Sequence, residues 1–300
     1  MRHLFIINPA AGKKDSTQRL LDQIKAVFPD GAEVAFTQTA GDATQLAAQA
    51  AQSGAQVRIY ACGGDGTLNE VVNGAAGWAN AAVTNVPKGT GNDFLRLFGP
   101  NAARAFSDLA ALRDGPQTQV DLIACNERLG IDIVCAGVDA WVAADIPRFK
   151  ALPLVSGTGA YLLALVLHMC KGISRPMTVE MGPIRYSGGV TILCVCNGRY
   201  YGGGFMPMGD AQPDDGVLDM LLVPKVKRAT FVRLLGAYAR GRYKSYPEII
   251  WDYHGQSATI SAPHELVAVV DGEPMRSKQF TIRLSEKKIA FFYPAGMFWR

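Results

Sequence analysis

The sequence predicts an α/β + β protein: an N-terminal doubly wound α/β/α domain followed by a C-terminal, mostly antiparallel β-sandwich domain. Three observations carry this. The first third alternates apolar strand-like runs with amphipathic helical runs over short connections. Glycine-rich turns sit where those strands lead into helices. After about residue 118 the alternation stops and short strand-like runs dominate. The chain has 300 residues, which suits two domains, placed at 1–122 and 123–289.

Residues 4–8 are an apolar strand. Residues 16–28 read as a helix with Leu20, Leu21, Ile24 and Val27 on one side. A second strand covers 33–37. Asp42 is a plausible N-cap for a helix to residue 52, ended by Gly54. Residues 57–62 form a third strand, 67–76 a helix and 81–86 a fourth strand. Residues 92–98 and 101–113 read as helical. Repeated β–α units of this kind build a parallel sheet covered on both faces. In the second half, strands are expected at 120–125, 131–136, 177–181, 190–196, 217–223, 258–260, 266–270, 279–284 and 289–293, with helices near 160–170 and 229–240.

Composition narrows the function. Hydrophobic residues are 49% and charged residues 19%, which is globular rather than disordered. A net charge of +4 with no long basic run argues against nucleic acid, though it suits an anionic membrane surface. The six cysteines form no C-x-x-C pair and sit mostly in apolar runs, as expected of reduced thiols in a cytoplasmic protein. The four histidines show no metal spacing. The N-terminus lacks a signal-peptide core. Residues 151–170 hold no Asp, Glu, Lys or Arg, but Pro153 and Gly157 break the run. The compact apolar part, 160–167, is too short to span a bilayer, so no transmembrane segment is expected.

The strongest local signal is Gly63-Gly64-Asp65-Gly66-Thr67, continued by Leu68, Asn69 and Glu70. A strand runs into glycines and then a helix. Glycines let backbone N–H groups approach phosphate oxygens, and the helix N-terminus adds unpaired N–H groups and a positive dipole end. Thr67 and Glu70 have capping-box spacing. Asp65, an acid beside a phosphate loop, fits a Mg²⁺ ion between the two. The next strand ends in Pro87-Lys88-Gly89-Thr90-Gly91-Asn92-Asp93, where Thr90, Asn92 and Asp93 offer nucleotide and metal contacts, or a plain N-cap. The first strand ends in Asn8-Pro9-Ala10-Ala11-Gly12-Lys13, a small-residue loop able to face a nucleotide, although Lys13 and Lys14 also read as solvated. In the second half, Tyr201-Gly202-Gly203-Gly204-Phe205 is a flexible turn. Gln212-Pro213-Asp214-Asp215-Gly216-Val217 is an acidic turn suited to Mg²⁺ or Ca²⁺. Val270-Asp271-Gly272-Glu273 reads as a hairpin turn in which Glu273 is the less expected residue.

In order and spacing, these segments resemble the diacylglycerol kinase catalytic-domain family, most closely its bacterial soluble lipid kinases, which are related to sphingosine and ceramide kinases. The resemblance spans nearly the whole chain. It implies transfer of the γ-phosphoryl group of ATP to a lipid hydroxyl at a membrane surface, with Mg²⁺. It implies ATP contacts from Asn8, Pro9, Ala10, Ala11 and Gly12, from Thr37, from Gly63 through Asn69, and from Thr90 in the loop of Gly89, Asn92 and Asp93. It implies Glu273, with Asp271 beside it, as the general base. It places a structural Mg²⁺ at Asp215, helped by main-chain oxygens of Gln212 and Val217, and an acidic network of Asp65, Asp93 and Asp121 around the catalytic metal. The last residues, about 290–300, are expected to return to the first domain. Lys88, where an apolar residue is usual, and Leu95, where a small one is, depart from the pattern. A cytoplasmic enzyme that touches membranes peripherally is the expected setting, with a homodimer left open. Two rival readings stay open beside it: an NAD kinase-like enzyme acting on a soluble metabolite, and a non-catalytic nucleotide- or lipid-binding regulator. Tyr161–Leu167, flanked by Arg148, Lys150, Lys171 and Arg175, is either a core helix or an interfacial one.

Overall fold

A computed structural model of the chain describes residues 1–12, 17–89, 91–150 and 157–299. It divides into two compact units. The first comprises residues 1–122, 129–131 and 285–300; the second comprises 123–128 and 132–284.

In the first unit the expected alternation forms: β1 (Arg2–Ile7), α1 (Thr17–Val27), β2 (Glu33–Phe36), α2 (Asp42–Gln52), β3 (Val57–Gly63), α3 (Asp65–Ala75) and β4 (Ala81–Pro87). After a 3-10 turn (Phe94–Phe98) come α4 (Ala102–Ala105), α5 (Leu109–Arg113) and β5 (Gln117–Val120). The chain's last strand, β15 (Ile289–Phe292), inserts between β4 and β5, so the sheet order is β2-β1-β3-β4-β15-β5. β15 runs parallel to β4 and antiparallel to β5. Strands β2, β1, β3 and β4 are all parallel, so their carboxyl ends and following loops share one edge. The central strands are buried while the edge strands β2 and β5 are largely exposed: β4 reads Ala81-Ala82-Val83-Thr84-Asn85-Val86 with every residue buried. On one face Tyr60 stacks on Phe5 at 4.1 Å between ring centroids and meets Phe292 edge-on.

Several local expectations shift. The helix expected at 101–113 is two short helices, because Asp108 accepts the N–H groups of Ala110 and Ala111 and starts a new one. The stretch 92–98 is a 3-10 turn. Asp42 is not the cap of α2. Gly41, at φ 91°, holds that position, and the Asp42 carboxylate accepts the N–H groups of Gln38 and Thr39. Those bonds lower the Asp42 pKa.

Most of a nine-stranded sheet lies in the second unit: β6 (Ile123–Cys125), β7 (Arg128–Gly130, mainly in the first unit), β8 (Ile133–Gly137), β9 (Arg175–Met181), β10 (Ile184–Cys196), β11 (Leu218–Pro224), β12 (Trp251–Gly255), β13 (Ser257–Val270) and β14 (Glu273–Leu284). Their order is β12-β11-β10-β8-β13-β14-β6-β7, with β9 pairing β10 and β13 and every pairing around it antiparallel. The two runs expected at 258–260 and 266–270 are one strand, interrupted by a register shift between Ser261 and Leu266. α7 (Gly157–Lys171) and α8 (Arg228–Tyr238) lie near their expected places. α6 (Val138–Lys150) was not expected: its Val, Trp, Ile and Pro147 make a poor helix by propensity, and its packing on α7 sustains it. Two apolar clusters fill this unit. One includes Val179, Val195, Met220, Ile260, Phe280 and Ile282; the other includes Cys194, Leu221, Phe231 and Tyr238 beneath the helices. Five cysteines are buried and Cys170 is exposed, and all six are free thiols. Among the described residues, no helix is long and apolar enough to cross a membrane.

Candidate active site

Three loops meet at the carboxyl edge of the first unit's sheet, following β1, β3 and β4. The β1 loop is held by its own asparagine. Asn8 Oδ1 accepts the Ala10 N–H at 3.0 Å, the Asn8 carbonyl accepts the Ala11 N–H, and Asn8 N–H donates to the Cys62 carbonyl. Asn8 Nδ2 reaches Thr67 Oγ1 at 3.3 Å, tying this loop to the start of α3. The loop after β2 joins them, since Thr37 N–H donates to the Ile7 carbonyl at 3.0 Å.

The β3 and β4 loops are bound more tightly. The Gly63 carbonyl accepts the N–H groups of Lys88 and Gly89 at 2.8 and 3.2 Å. The Asp65 carboxylate spans the gap: Oδ2 accepts the Asn92 N–H at 2.9 Å and Oδ1 the Asp93 N–H at 2.6 Å. Two glycines allow this approach. A Cβ on Gly89 would stand 2.5 Å from Gly64 Cα, and one on Gly91 would collide with Asp65 Oδ2. Asn92 Nδ2 closes the loop on the Gly89 carbonyl at 2.8 Å, and Asn92 itself has φ 49°. These bonds use the N–H groups of Lys88, Gly89, Asn92 and Asp93 and set the second loop beside the N-terminus of α3, whose first-turn N–H groups are the arrangement that binds phosphates.

The capping box expected of Thr67 and Glu70 does not form. α3 begins at Asp65, two residues earlier, so Thr67 lies in the first turn and not before it. Glu70 turns to the neighbouring helix, where its carboxylate accepts the N–H groups of Gly41 and Ala43 at 2.9 and 3.1 Å and caps α2. Leu68 is buried in the core. Asn69 is fully buried, and its amide donates to the Leu129 carbonyl at 2.8 Å, as does that of Asn73.

The acids expected to surround one metal have separate partners. Asp93 pairs with Arg96 at 3.0 Å, and the fully buried Asp121 pairs with Lys288 at 2.6 Å. Among the described residues, no three His, Cys, Asp or Glu side chains converge as metal ligands. Thr90, Lys13 and Lys14 lie outside the described residues, as do the side chains of Lys150, Tyr161 and Leu162.

In the second unit Asp271 and Gly272 form the two-residue turn between β13 and β14, both with positive φ (48° and 91°) and with Val270 opposite Glu273. Asp271 also anchors this turn. Its Oδ1 accepts the N–H groups of Asp132 and Ile133, both at 3.0 Å, and its own N–H donates to the Ile133 carbonyl. Glu273, one residue on, is exposed. In the acidic turn, Asp214 and Asp215 are exposed, and Asp215 Oδ1 accepts the Val217 N–H at 3.0 Å. The exposed Asp215 carboxylate is the hard oxygen donor type that Mg²⁺ takes while retaining several waters.

A ring of polar side chains, invisible in the sequence, lies beneath the Tyr201–Phe205 turn. Tyr201 Oη donates to Asp139 Oδ2 at 3.0 Å and meets Tyr238 Oη at 2.8 Å. Tyr238 Oη meets Cys194 Sγ at 3.0 Å, and that thiol faces Asp139 at 3.6 Å. The ring joins the start of α6, β10, the glycine turn and the end of α8. Burial pushes Asp139 up to about 6, against the lowering effect of its hydrogen bonds.

Comparison with known proteins agrees with this architecture. The sequence profile of the diacylglycerol kinase catalytic domain matches residues 2–125, and that of the YegS C-terminal NAD kinase beta sandwich-like domain matches residues 132–291. Diacylglycerol kinases of Staphylococcus aureus strains bovine RF122 / ET3-1 and MRSA252 are each 30% identical over 276 residues, covering 91% of this chain and 86% of theirs. Two solved structures from Bacillus anthracis str. Sterne share the fold. One, a diacylglycerol kinase, has a TM-score of 0.71 at 20% identity; the other has a TM-score of 0.75 at 24% identity. Each covers 99% of this chain and 98% of its own. With the catalytic-domain profile on its first half, the sandwich profile on its second and kinases matched along nearly its whole length, the chain belongs to the family of lipid kinases built on the diacylglycerol kinase catalytic domain.

Proposed function

We propose that this protein transfers the γ-phosphoryl group of ATP to the hydroxyl of a diacylglycerol-like or sphingoid-like lipid. The observation that carries the reading is the Asp65 clasp, which joins the two glycine loops into one cradle at a helix N-terminus. Phosphoryl transfer asks little covalent work of a protein. It asks that the phosphates be positioned and that charge on the transferring group be met by fixed donors. Backbone N–H groups of the Gly63–Thr67 turn at the start of α3 serve the phosphates, and the Gly89–Asp93 loop, whose Gly89, Asn92 and Asp93 N–H groups are held by Gly63 and Asp65, stands beside them with the Asn8–Gly12 loop and Thr37.

Glu273 is the general base in this reading. It takes the acceptor hydroxyl's proton as the oxygen–phosphorus bond forms, and ADP leaves with the electron pair of the broken bond. Asp271 holds the turn that presents Glu273. Mg²⁺, when bound at Asp215 with main-chain oxygens of Gln212 and Val217, supplies positive charge that orders the acidic turn. The enzyme works from the cytoplasm on a lipid held at a membrane surface.

The deciding experiment is incubation of the protein with γ-labelled ATP, Mg²⁺ and a whole lipid extract, followed by identification of the labelled product. Label on a lipid that disappears with Glu273→Gln supports the proposal. Label on NAD instead would make the protein a kinase of a soluble metabolite. Nucleotide binding with no transfer to any acceptor would make it a regulator.

A further inference from the structure

The net charge of +4 is not spread over the surface. Between Lys225 and Lys244 the chain carries seven Lys and Arg residues and no Asp or Glu, so the rest of the molecule is net acidic. This segment contains α8. Phe231, Leu234 and Tyr238 face the core of the second unit. The opposite face presents Arg228, Ala229, Val232, Arg233 and Gly236 to solvent, at the spacing of one helical stripe, and Arg240 is exposed just past its end. Lys225, Lys227 and Arg242 are exposed at its ends. Among the described residues, Lys244 alone of these seven is tied to an acid, Asp210.

α7 adjoins this face. The Arg228 guanidinium donates to the carbonyls of Met169 and Cys170 and so joins the C-terminus of α7 to the N-terminus of α8. The solvent stripe of α7 is apolar: Leu163 is 42% exposed and Val166 58%, with Cys170 exposed below them and Lys171 at the end. Val232 on α8 is 59% exposed. An exposed aliphatic set between cations, as Val232 is between Arg228 and Arg233, is costly in water and matches a surface that is anionic outside and hydrocarbon beneath. Nucleic acid would share the charge but would call for exposed aromatic rings to stack on bases, and the stripe has none.

We infer that the outer face of α8 docks the protein on an anionic lipid bilayer, with Arg233 and Arg240 meeting headgroups and Val232 entering the interface. The inference rests on the lipid-kinase reading only for why a bilayer is met. Its test reads binding alone, so the two can fail separately.

Sedimentation with vesicles of phosphatidylcholine, or of phosphatidylcholine with phosphatidylglycerol, decides it. The protein is expected to pellet with the anionic vesicles at least tenfold more than with the neutral ones, and to release when NaCl rises from about 50 to about 500 mM. The Arg233→Glu, Arg240→Glu double variant, both sites exposed, is expected to lose at least tenfold of that binding. Its melting temperature and its transfer to a short-chain, water-dispersed acceptor should stay at wild-type level. Equal binding to both vesicle types, salt-insensitive binding, undiminished binding by a folded double variant, or retention on tRNA without retention on vesicles would each overturn the assignment. The salt series uses the unaltered protein, so the test stands even if the variant fails to fold.

Discussion

Asp65 and Asn92 sit 27 residues apart in sequence, yet the carboxylate of one accepts the backbone N–H of the other at 2.9 Å. With the matching bond from Asp93, this makes Asp65 the clasp between two glycine loops. The acid between glycines thus has a definite structural task as well as any role toward a ligand.

Removing the clasp should separate the two tasks. Asp65→Ala leaves two loop N–H groups without their charged acceptor, each such bond being worth roughly 1.5–3 kcal/mol. Labelled-phosphate transfer should fall at least 100-fold, with a measurable drop in melting temperature. Gly89→Ala keeps the carboxylate but forces the loops apart, and should reduce transfer by a similar factor with a smaller loss of stability. Transfer rates near wild type in both would remove the cradle from the mechanism.

Asp271 and Glu273 are neighbours with opposite expectations. Asp271 is bonded to two main-chain N–H groups of the adjoining strand, so Asp271→Ala should lower stability by roughly 2–4 kcal/mol. Glu273 is exposed, so Glu273→Gln should unfold within about 0.5 kcal/mol of wild type while transfer drops by roughly 10²–10⁴. Urea unfolding beside a transfer assay checks both. A Glu273→Gln enzyme with full turnover would exclude it as the base.

Glu70 acts on a helix other than its own. Glu70→Ala should cost about 1–2 kcal/mol through the lost cap of α2, read as a shift in the urea midpoint at constant slope. Asp42→Ala should cost less, because its bonds lie at an exposed loop.

Asp139 predicts a pH dependence. Burial raises its pKa from the usual carboxylate range to about 6, so the folded chain holds its proton more tightly than the unfolded chain does. The stability from this group is therefore fully present below about pH 4 and is lost as pH rises through 6. Tyr201, Tyr238, Cys194 and Cys135 around it are all raised by burial and stay neutral across that window. The difference in denaturant midpoint between wild type and Asp139→Asn should change between pH 4 and pH 7. A constant difference would show that Asp139 does not titrate there.

Much of the first unit was legible in order because its strands are short apolar runs broken by glycine turns, and period and punctuation are local properties. The Asp271–Gly272 turn was legible for the same reason: two consecutive positive φ values favour that pair. Partners distant in sequence were not. Thr67 and Glu70 have the spacing of a capping box, but the helix starts where the glycine turn releases the chain, and Glu70 finds orphan N–H groups on α2 instead. α6 was hidden because its residues are weak helix formers, held by packing against α7. The protein partners of the acids Asp93 and Asp121 were likewise hidden, since the places of Arg96 and Lys288 beside them follow from no local pattern.

The amino-acid sequence alone determined the two-part plan, the strand–glycine–helix loops and their shared edge, because hydrophobic period and turn chemistry act over a few residues. Tertiary structure alone decided where side chains spend their hydrogen bonds: Asp65 on the facing loop, Asp121 on Lys288, and Asp139 in a ring drawn from four elements. It also joined the C-terminus of α7 to the N-terminus of α8 through Arg228. A buried polar group must be satisfied by whatever the fold sets within about 3 Å, and that neighbour can lie anywhere along the chain.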